Sequence, residues 1–398
     1  MKLYRTMALA LALTLGGAVG CDSMFEVTNP GPMVDEDLNN PAAFPGLVNG
    51  MSGDLSQAVD NVGYAGALLA GELVSTGFTP TWIAISEGRL IPSDGNGFWN
   101  NAQRARWVAE DGIRRMEEAG YDSNVLARAY LLAGISNRLL GENFCEAVID
   151  GGGAEPHTVY FERAQGHLNM AVDVAERHGD AQIRDAANAA LASVLAALGN
   201  WDSAASLAAQ IPLDHRFEAI FSLNSSRETS DQLINYPLEH SEGTVWGTRW
   251  DTVTDDPRVP WEVALDPGGE PRAGRDGSTP WYRALKYTSR GDNVAMTKGT
   301  EMHLIRAEAA LRNGDVETMV EHLDVVREFH GMEPLGQVDT DDAWDVLMYE
   351  RSAELWLESR GLWDRRRWYA EGRDDFLEGR ESPCFPVGQT EIDTNPNL

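Results

Sequence analysis

The sequence predicts a mostly α-helical chain of irregular helix pairs, interrupted by one long loop-rich insertion. Three observations predict it. Ala- and Leu-rich segments with helical spacing of apolar residues recur on both sides of the middle of the chain. Short turns punctuate them, as at Leu198-Gly199-Asn200-Trp201 and Arg312-Asn313-Gly314-Asp315. Residues 221–299 depart from this pattern. They are poor in Ala and Leu, carry Gly268, Gly269, Pro271, Gly274, Gly277 and Pro280, and hold Trp246, Trp250, Trp261, Trp281, Tyr282 and Tyr287.

The elements follow in order. Asn40 before Pro41 is a helix start, with Asn as N-cap and Pro in the first turn. One helix is predicted from there to about Val59 and another over Tyr64–Leu73, followed by a loop-rich stretch from Glu72 to Gly97. Ala102, Ala105, Val108, Ile113 and Met116 share one face of a helix over Phe98–Glu118. Further helices are predicted over Asn124–Leu140, Phe161–His178, Ala181–Leu198 and Asp202–Gln210. Ala197-Leu198-Gly199 with Trp201, Ala204 and then Pro212 resembles one tetratricopeptide-type helix–turn–helix unit. A weaker copy lies around Ala309–Asp315, between a helix from Thr300 and one reaching Phe329. The repeats are therefore irregular and partial. Beyond Gly379 the chain reads as an extended coil.

The first twenty residues read as a signal segment outside the fold. Lys2 and Arg5 precede an apolar run, Met7–Val19, that is too short to span a bilayer. Ala18-Val19-Gly20-Cys21 resembles a bacterial lipobox, which makes Cys21 the expected lipidation site; ordinary secretory cleavage is the alternative. Residues 21–398 then form one domain, anchored by lipid and otherwise soluble. Net charge is −30, and loss of Lys2 and Arg5 leaves 30 basic against 62 acidic residues. Such a surface disfavours nucleic acid and anionic membrane as partners. Cys145 and Cys384 remain, and in an exported chain they either pair or stay as two buried thiols.

Near the C-terminus, Glu350, Glu354 and Glu358 recur every four residues. Like charges at that spacing repel unless paired. Arg360, Arg365, Arg366 and Arg367 come next, around a hinge at Gly361. The expectation is a charged clasp, two helices folded together through ion pairs between these rows. No catalytic role is assigned to it. The chain has no His-Glu-x-x-His, Gly-x-Ser-x-Gly, phosphate-binding loop or Cys-x-x-Cys, so neither an enzyme, a metal site nor a cofactor is predicted. Binding of a sugar needs aromatic faces beside polar side chains. Trp82, Trp246, Trp250, Trp281, Tyr282 and Arg275 are the candidates.

Taken in order, these features resemble the SusD/RagB-like nutrient-binding outer-membrane lipoproteins. The residues that carry the resemblance are Cys21, Glu26-Val-Thr-Asn-Pro30, Leu140-Gly-Glu-Asn-Phe144, Glu301-Met-His-Leu-Ile-Arg-Ala-Glu-Ala309, and above all Glu350-Arg-Ser-Ala-Glu-Leu-Trp-Leu-Glu-Ser-Arg-Gly-Leu-Trp-Asp-Arg-Arg-Arg-Trp368. The resemblance implies a tetratricopeptide-type helical fold with a looped face, and a place at the outer membrane. It implies capture of an oligosaccharide or peptide, and a TonB-dependent SusC-like barrel transporter as partner. The alternative is a tetratricopeptide-type scaffold lipoprotein of envelope assembly that holds no small ligand.

Overall fold

The computed structural model describes residues 35–398; the signal segment and Cys21 lie outside them. The helical body opens with α1 (Phe44–Leu69), a short α2 (Pro80–Ser86) and α3 (Pro92–Glu118). It continues through α4 (Asn124–Asn143), α5 (Thr158–His178), α6 (Ala181–Ala197) and α7 (Trp201–Ala208). After the insertion come α8 (Gly299–Arg312), α9 (Val316–Phe329), α10 (Ala343–Glu354), α11 (Gly361–Ala370) and α12 (Gln389–Thr394). From α3 through α9 each helix packs chiefly on the next, so the body is a ribbon of helix pairs. The two repeat turns read from the sequence match in detail. Gly199 and Gly314 both stand one residue past a helix C-cap with φ of 81° and 79°, the left-handed conformation that glycine adopts without a Cβ clash.

Two helix boundaries differ from the expectation. The helices predicted over 41–59 and 64–73 are one, because Gly63 serves close packing and breaks nothing. A Cβ there would lie 2.4 Å from Ser359 Oγ. Asp60, also in the middle of α1, is buried and bonded across to the insertion, accepting from the Ser230 hydroxyl and the backbone N–H groups of Gln232 and Leu233. Likewise α3 begins at Pro92, six residues before the predicted start. Asp94 Oδ2 accepts the Ile91 N–H at 3.1 Å and caps the first turn, and Gly95 lets Pro386 approach. A dipeptide pattern that reads as loop is here overridden by tertiary contact.

The insertion has a stem. Strand β4 (Arg216–Ala219) enters it and β8 (Val294–Lys298) leaves it, paired antiparallel with a bulge at Phe217/Glu218. Within the stretch the structure is two-stranded ribbons and turns. One apolar core runs from Phe44 to Val387 and includes insertion residues such as Val245, Trp250 and Val259. Smaller clusters form around Leu304, Leu323 and Leu347, and between α6, α7 and α8.

Cys145 and Cys384 form a disulfide, with Cα atoms 5.3 Å apart. It fastens the tail to the end of α4, where the Phe385 N–H also donates to the Asn143 carbonyl. Both cysteines are expected to alkylate only after reduction. Mass measurement of the alkylated chain checks this, and two labels without reductant would contradict it.

The charged row near the C-terminus is buried, but not as a clasp between its own two halves. The helix ends at Glu354, and Leu357 and Ser359 adopt left-handed backbone conformations in the turn that follows. Glu350 pairs with Arg258 and Arg327, each at 2.6 Å. Glu354 pairs with Lys298 at 2.9 Å and His330 at 2.7 Å, and Glu358 with Lys286 at 2.8 Å and Lys298 at 2.9 Å. Arg360 reaches Glu142 and Glu301, Arg367 reaches Glu308, and Arg365 pairs with Asp374. Only Arg351–Asp364, at 2.8 Å, links α10 to α11 directly. The reason is geometric: a left-handed turn separates the rows, so each faces a different neighbour. The segment is a hub that fastens the insertion to the helical body.

Candidate functional site

Two ribbons shape the exposed face of the insertion. Strand β1 (Val74–Ser75) pairs with β5 (Gly243–Thr244), and β6 (Trp261–Val263) pairs with β7 (Tyr282–Ala284), both antiparallel. Thr244 joins the two ribbons. Its hydroxyl donates to the Pro280 carbonyl at 2.9 Å and accepts the Tyr282 N–H at 2.8 Å. It also receives the Trp246 N–H at 3.2 Å, while the Val245 N–H donates to the Tyr282 carbonyl. Trp246 and Tyr282 are thereby held as neighbours. The Tyr282 ring stacks on Trp261, centroids 4.9 Å apart and planes within 5°. Trp261 is locked in turn by its indole N–H, which donates to the Val253 carbonyl at 2.7 Å. Trp246 is 40% exposed. The result is an aromatic shelf with one open indole and a stacked, half-buried pair beside it.

At the other end of the β1–β5 ribbon lies a second exposed ring, Phe78, with the Arg275 guanidinium 5.5 Å from its centroid. Arg275 also meets His240, and its Nε lies 3.4 Å from a Glu242 carboxylate oxygen. These contacts fix a cation and an aromatic face together at the rim.

The predicted site residues therefore divide. The structure sets the backbones of Trp246 and Tyr282 side by side, and Arg275 lies beside Phe78, His240 and Glu242 at the other end of the β1–β5 ribbon. Trp82, Trp250 and Trp281 are corrected: they are core residues. Trp82 sits edge-on to Tyr64, with centroids 5.0 Å apart, and against Phe98. Trp250 packs on Tyr349 under the Arg249 guanidinium, and Trp281 is 1% exposed beneath Arg272. A ring covered on both faces has no surface to offer a ligand. Sequence reasoning missed Phe78 and passed over Trp261 as a site residue. Alternation along β6 and β7 is too short to show which aromatic faces out, and Phe78 carries no motif.

The segment Pro257–Pro260 separates two hollows behind the shelf. One, about 340 Å³, is lined by Val253, Asp255 and Trp261. The other, about 370 Å³, is lined by Arg216, Lys286, Lys298, His330, Glu354 and Glu358. Burial alone would discharge these groups, yet their mutual pairing prevails for most of them. Burial works against the Lys298 ammonium, but Glu358 and Glu354 hold its pKa above the usual lysine value. Burial opposes the Glu358 carboxylate too, and Lys286 with Lys298 keep its pKa below the ordinary range. Lys286 is the exception, its pKa lowered by burial despite Glu358. Charges satisfied by one another in this way stiffen the wall behind the shelf. Among the described residues, no group of three or more His, Cys, Asp or Glu side chains is placed to hold a metal ion.

Comparison with known proteins gives this geometry a context. Residues 287–397 match the model of the SusD family, which takes in the stem strand β8 and the charged hub. No curated protein matches the sequence. Solved structures match along most of the chain. Surface glycan-binding protein A from Bacteroides thetaiotaomicron, in complex with laminarihexaose, superposes with a TM-score of 0.69 at 14% identity, over 90% of this chain and 98% of that one. A SusD superfamily protein from the same organism gives 0.66 at 14% identity, with the same coverage. A SusD-like carbohydrate binding protein from Bacteroides vulgatus gives 0.63 at 14% identity, over 82% of this chain and 83% of that one. The chain thus has a SusD-like fold, with tetratricopeptide-type helix pairs, a loop-rich insertion and a C-terminal segment that matches the SusD family model.

Proposed function

We propose that this protein captures an oligosaccharide on the shelf formed by Trp246, Tyr282 and Trp261 and passes it to a TonB-dependent SusC-like barrel transporter. The observation that carries the reading is the shelf itself: an open indole and a stacked aromatic pair, with Thr244 holding the backbones of Trp246 and Tyr282 together and Val253 holding the Trp261 indole. Apolar C–H faces of a pyranose suit such rings, and the stacked pair, held by the Trp261 indole bond, loses little freedom when a ligand arrives. Arg275 and Phe78 extend the face in the direction a longer chain would run. Support comes from the similar structures, one described with laminarihexaose bound and one as carbohydrate binding. In this reading residues 21–398 act as one domain, held to the outer membrane by lipid on Cys21. Among the described residues, no helix is long and apolar enough to cross a membrane.

The test is a titration of residues 22–398 with a panel of soluble polysaccharides and peptides. For whichever ligand binds, Trp246→Ala is expected to weaken affinity at least tenfold, about 1.4 kcal/mol. Thermal stability is expected to stay within about 0.5 kcal/mol, as befits a surface position. Unchanged affinity would sink the shelf as the site. Co-purification of a barrel transporter from detergent-solubilised membranes checks the partner, and barrel-assembly machinery in its place would favour the scaffold reading.

A further inference from the structure

A second concavity lies on the helical body. It encloses about 500 Å³ and is lined by Gln103, Arg104, Trp107, Asp150, Gly151 and Glu391, with Arg106 and Val148 beneath. None of these residues belongs to the shelf or to the insertion. Three separate pieces of chain form it: α3, the hairpin of β2 (Glu146–Ala147) and β3 (Glu155–Pro156), and the C-terminal helix α12. We propose that this concavity is a second carbohydrate-binding site, one that takes an uncharged glycan on the Trp107 indole.

The first argument is the ring. Trp107 is 52% exposed and lines the hollow, while its helix neighbours at Ala105 and Ala109 are buried. A large aromatic left open in a concave wall matches the flat apolar face of a pyranose. No other exposed large hydrophobic lines the hollow, whereas a protein-docking surface presents several together.

The second argument is a polar apparatus anchored in the core. Arg106 is 3% exposed and each of its three nitrogens is engaged. Nε donates to Gln103 Oε1 at 2.9 Å, Nη1 to Glu110 at 2.6 Å, and Nη2 to Asp150 Oδ1 at 2.8 Å. Gln103 is fixed in turn, donating to the Tyr160 hydroxyl at 2.7 Å and the Val148 carbonyl at 3.1 Å. This network holds Asp150 with a φ of 50° at the rim. Asp150 Oδ2 has no partner among the described residues, so it is open to accept a hydroxyl. Arg104 also lines the hollow, and its Nε pairs with Asp54 at 3.1 Å. The two amino groups of Arg104 likewise have no partner among the described residues. A fixed acceptor and a set of donors at the edge of an aromatic face are what neighbouring sugar hydroxyls require. Two arginines and two carboxylates line the hollow, so the charge balances and an uncharged ligand is favoured.

The third argument is preorganisation. The hairpin that carries Asp150 is tied to the tail by the Cys145–Cys384 disulfide. Asn395 Nδ2 donates to the Gly152 carbonyl and Asn397 Nδ2 to the Gly151 carbonyl, each at 2.8 Å. Glu391 is held from both sides, by Asn395 and by the Trp99 indole N–H. A wall assembled this way needs no ordering when a ligand arrives.

Fluorine NMR on the chain labelled with 5-fluorotryptophan tests the proposal directly. Trp107→Phe and Trp246→Phe assign the two resonances among the twelve tryptophans. The probes are soluble neutral polysaccharides: an α-glucan, a β-1,3-glucan, a mannan and a xylan. The Trp107 resonance is expected to shift saturably with at least one of them. Asp150→Asn is expected to raise the midpoint of that shift at least fivefold while leaving any response at Trp246 unchanged. If Trp246 responds and Trp107 stays still, the second site is overturned and the shelf stands. Silence at both overturns both, whereas movement of Trp107 alone supports the second site and counts against the shelf. A Trp107 signal that no glycan moves, but that changes in a purified complex with the transporter, marks a protein contact and overturns the proposal.

Discussion

Arg360→Met is expected to destabilise the fold by about 3–5 kcal/mol, the cost of removing one partner from a buried ion-pair network. Arg360 is 4% exposed and lies between two equally buried carboxylates, Glu301 at 2.8 Å and Glu142 at 3.1 Å. These carboxylates come from α8 and α4, so one guanidinium ties the last repeat to the first half of the body. The variant keeps an apolar stem and loses the charge. Burial already pushes the Glu142 carboxyl up, and Arg360 is the main group opposing that shift. Arg138, the other cation beside Glu142, stands at 3.6 Å, and its own charge is disfavoured by burial. It cannot take over the role. Urea unfolding at pH 7 measures the loss, and a change under about 1 kcal/mol would contradict a structural role for the hub.

How far the sequence reaches follows from which forces act locally. The repeat turns at Gly199 and Gly314 were legible because a left-handed cap is a local requirement and glycine meets it. The charged row was legible as a structural feature, and its partners were not. Glu350 meets Arg258 across 92 residues and Arg360 meets Glu142 across 218, distances over which spacing carries no information. The same limit governs α1 and α3. Gly63 looks like a breaker, yet it is small because Ser359 lies against it, and Gly95 sits in the first turn of a helix that Pro92 and Asp94 start. In the insertion, composition located the aromatic face and could not sort it. Trp246 and Trp250 stand four residues apart, one open and one buried, because Thr244 turns the chain outward just before the first. Within an irregular segment the backbone route decides exposure, and no periodicity reports that route.

Glu72→Gln is expected to change how stability depends on pH. Glu72 follows α1 and is buried beneath Gly361, where a Cβ would lie 2.4 Å from its carboxylate. Burial raises its carboxyl from 4.5 to about 7, although Lys286, the Leu357 N–H, Arg249 and Arg365 oppose the rise. The folded pKa thus exceeds the unfolded one, and the folded state binds the extra proton between those values. Stability from this group is therefore greatest below about pH 4.5 and declines as pH rises, by about 3 kcal/mol once pH passes 7. Asp60, raised to about 6 by burial, adds a decline of the same sign. Glu354, Glu358 and Asp364 act in the opposite sense. Burial disfavours their charged forms, but the cations around them hold their pKa values below the ordinary range. Their contribution is present above about pH 4 and is lost as the solution becomes more acid. The two limbs place the stability maximum near pH 5. The Gln variant keeps the acid limb and the Asp60 decline but loses the Glu72 decline. Its advantage over the parent chain is expected to grow from near zero at pH 5 to about 3 kcal/mol at pH 8, read by urea unfolding at each pH. Parallel curves for the two proteins would mean that Glu72 is charged in the folded state throughout. Its burial under Gly361 would then be balanced in full by Lys286, Arg249, Arg365 and the Leu357 N–H.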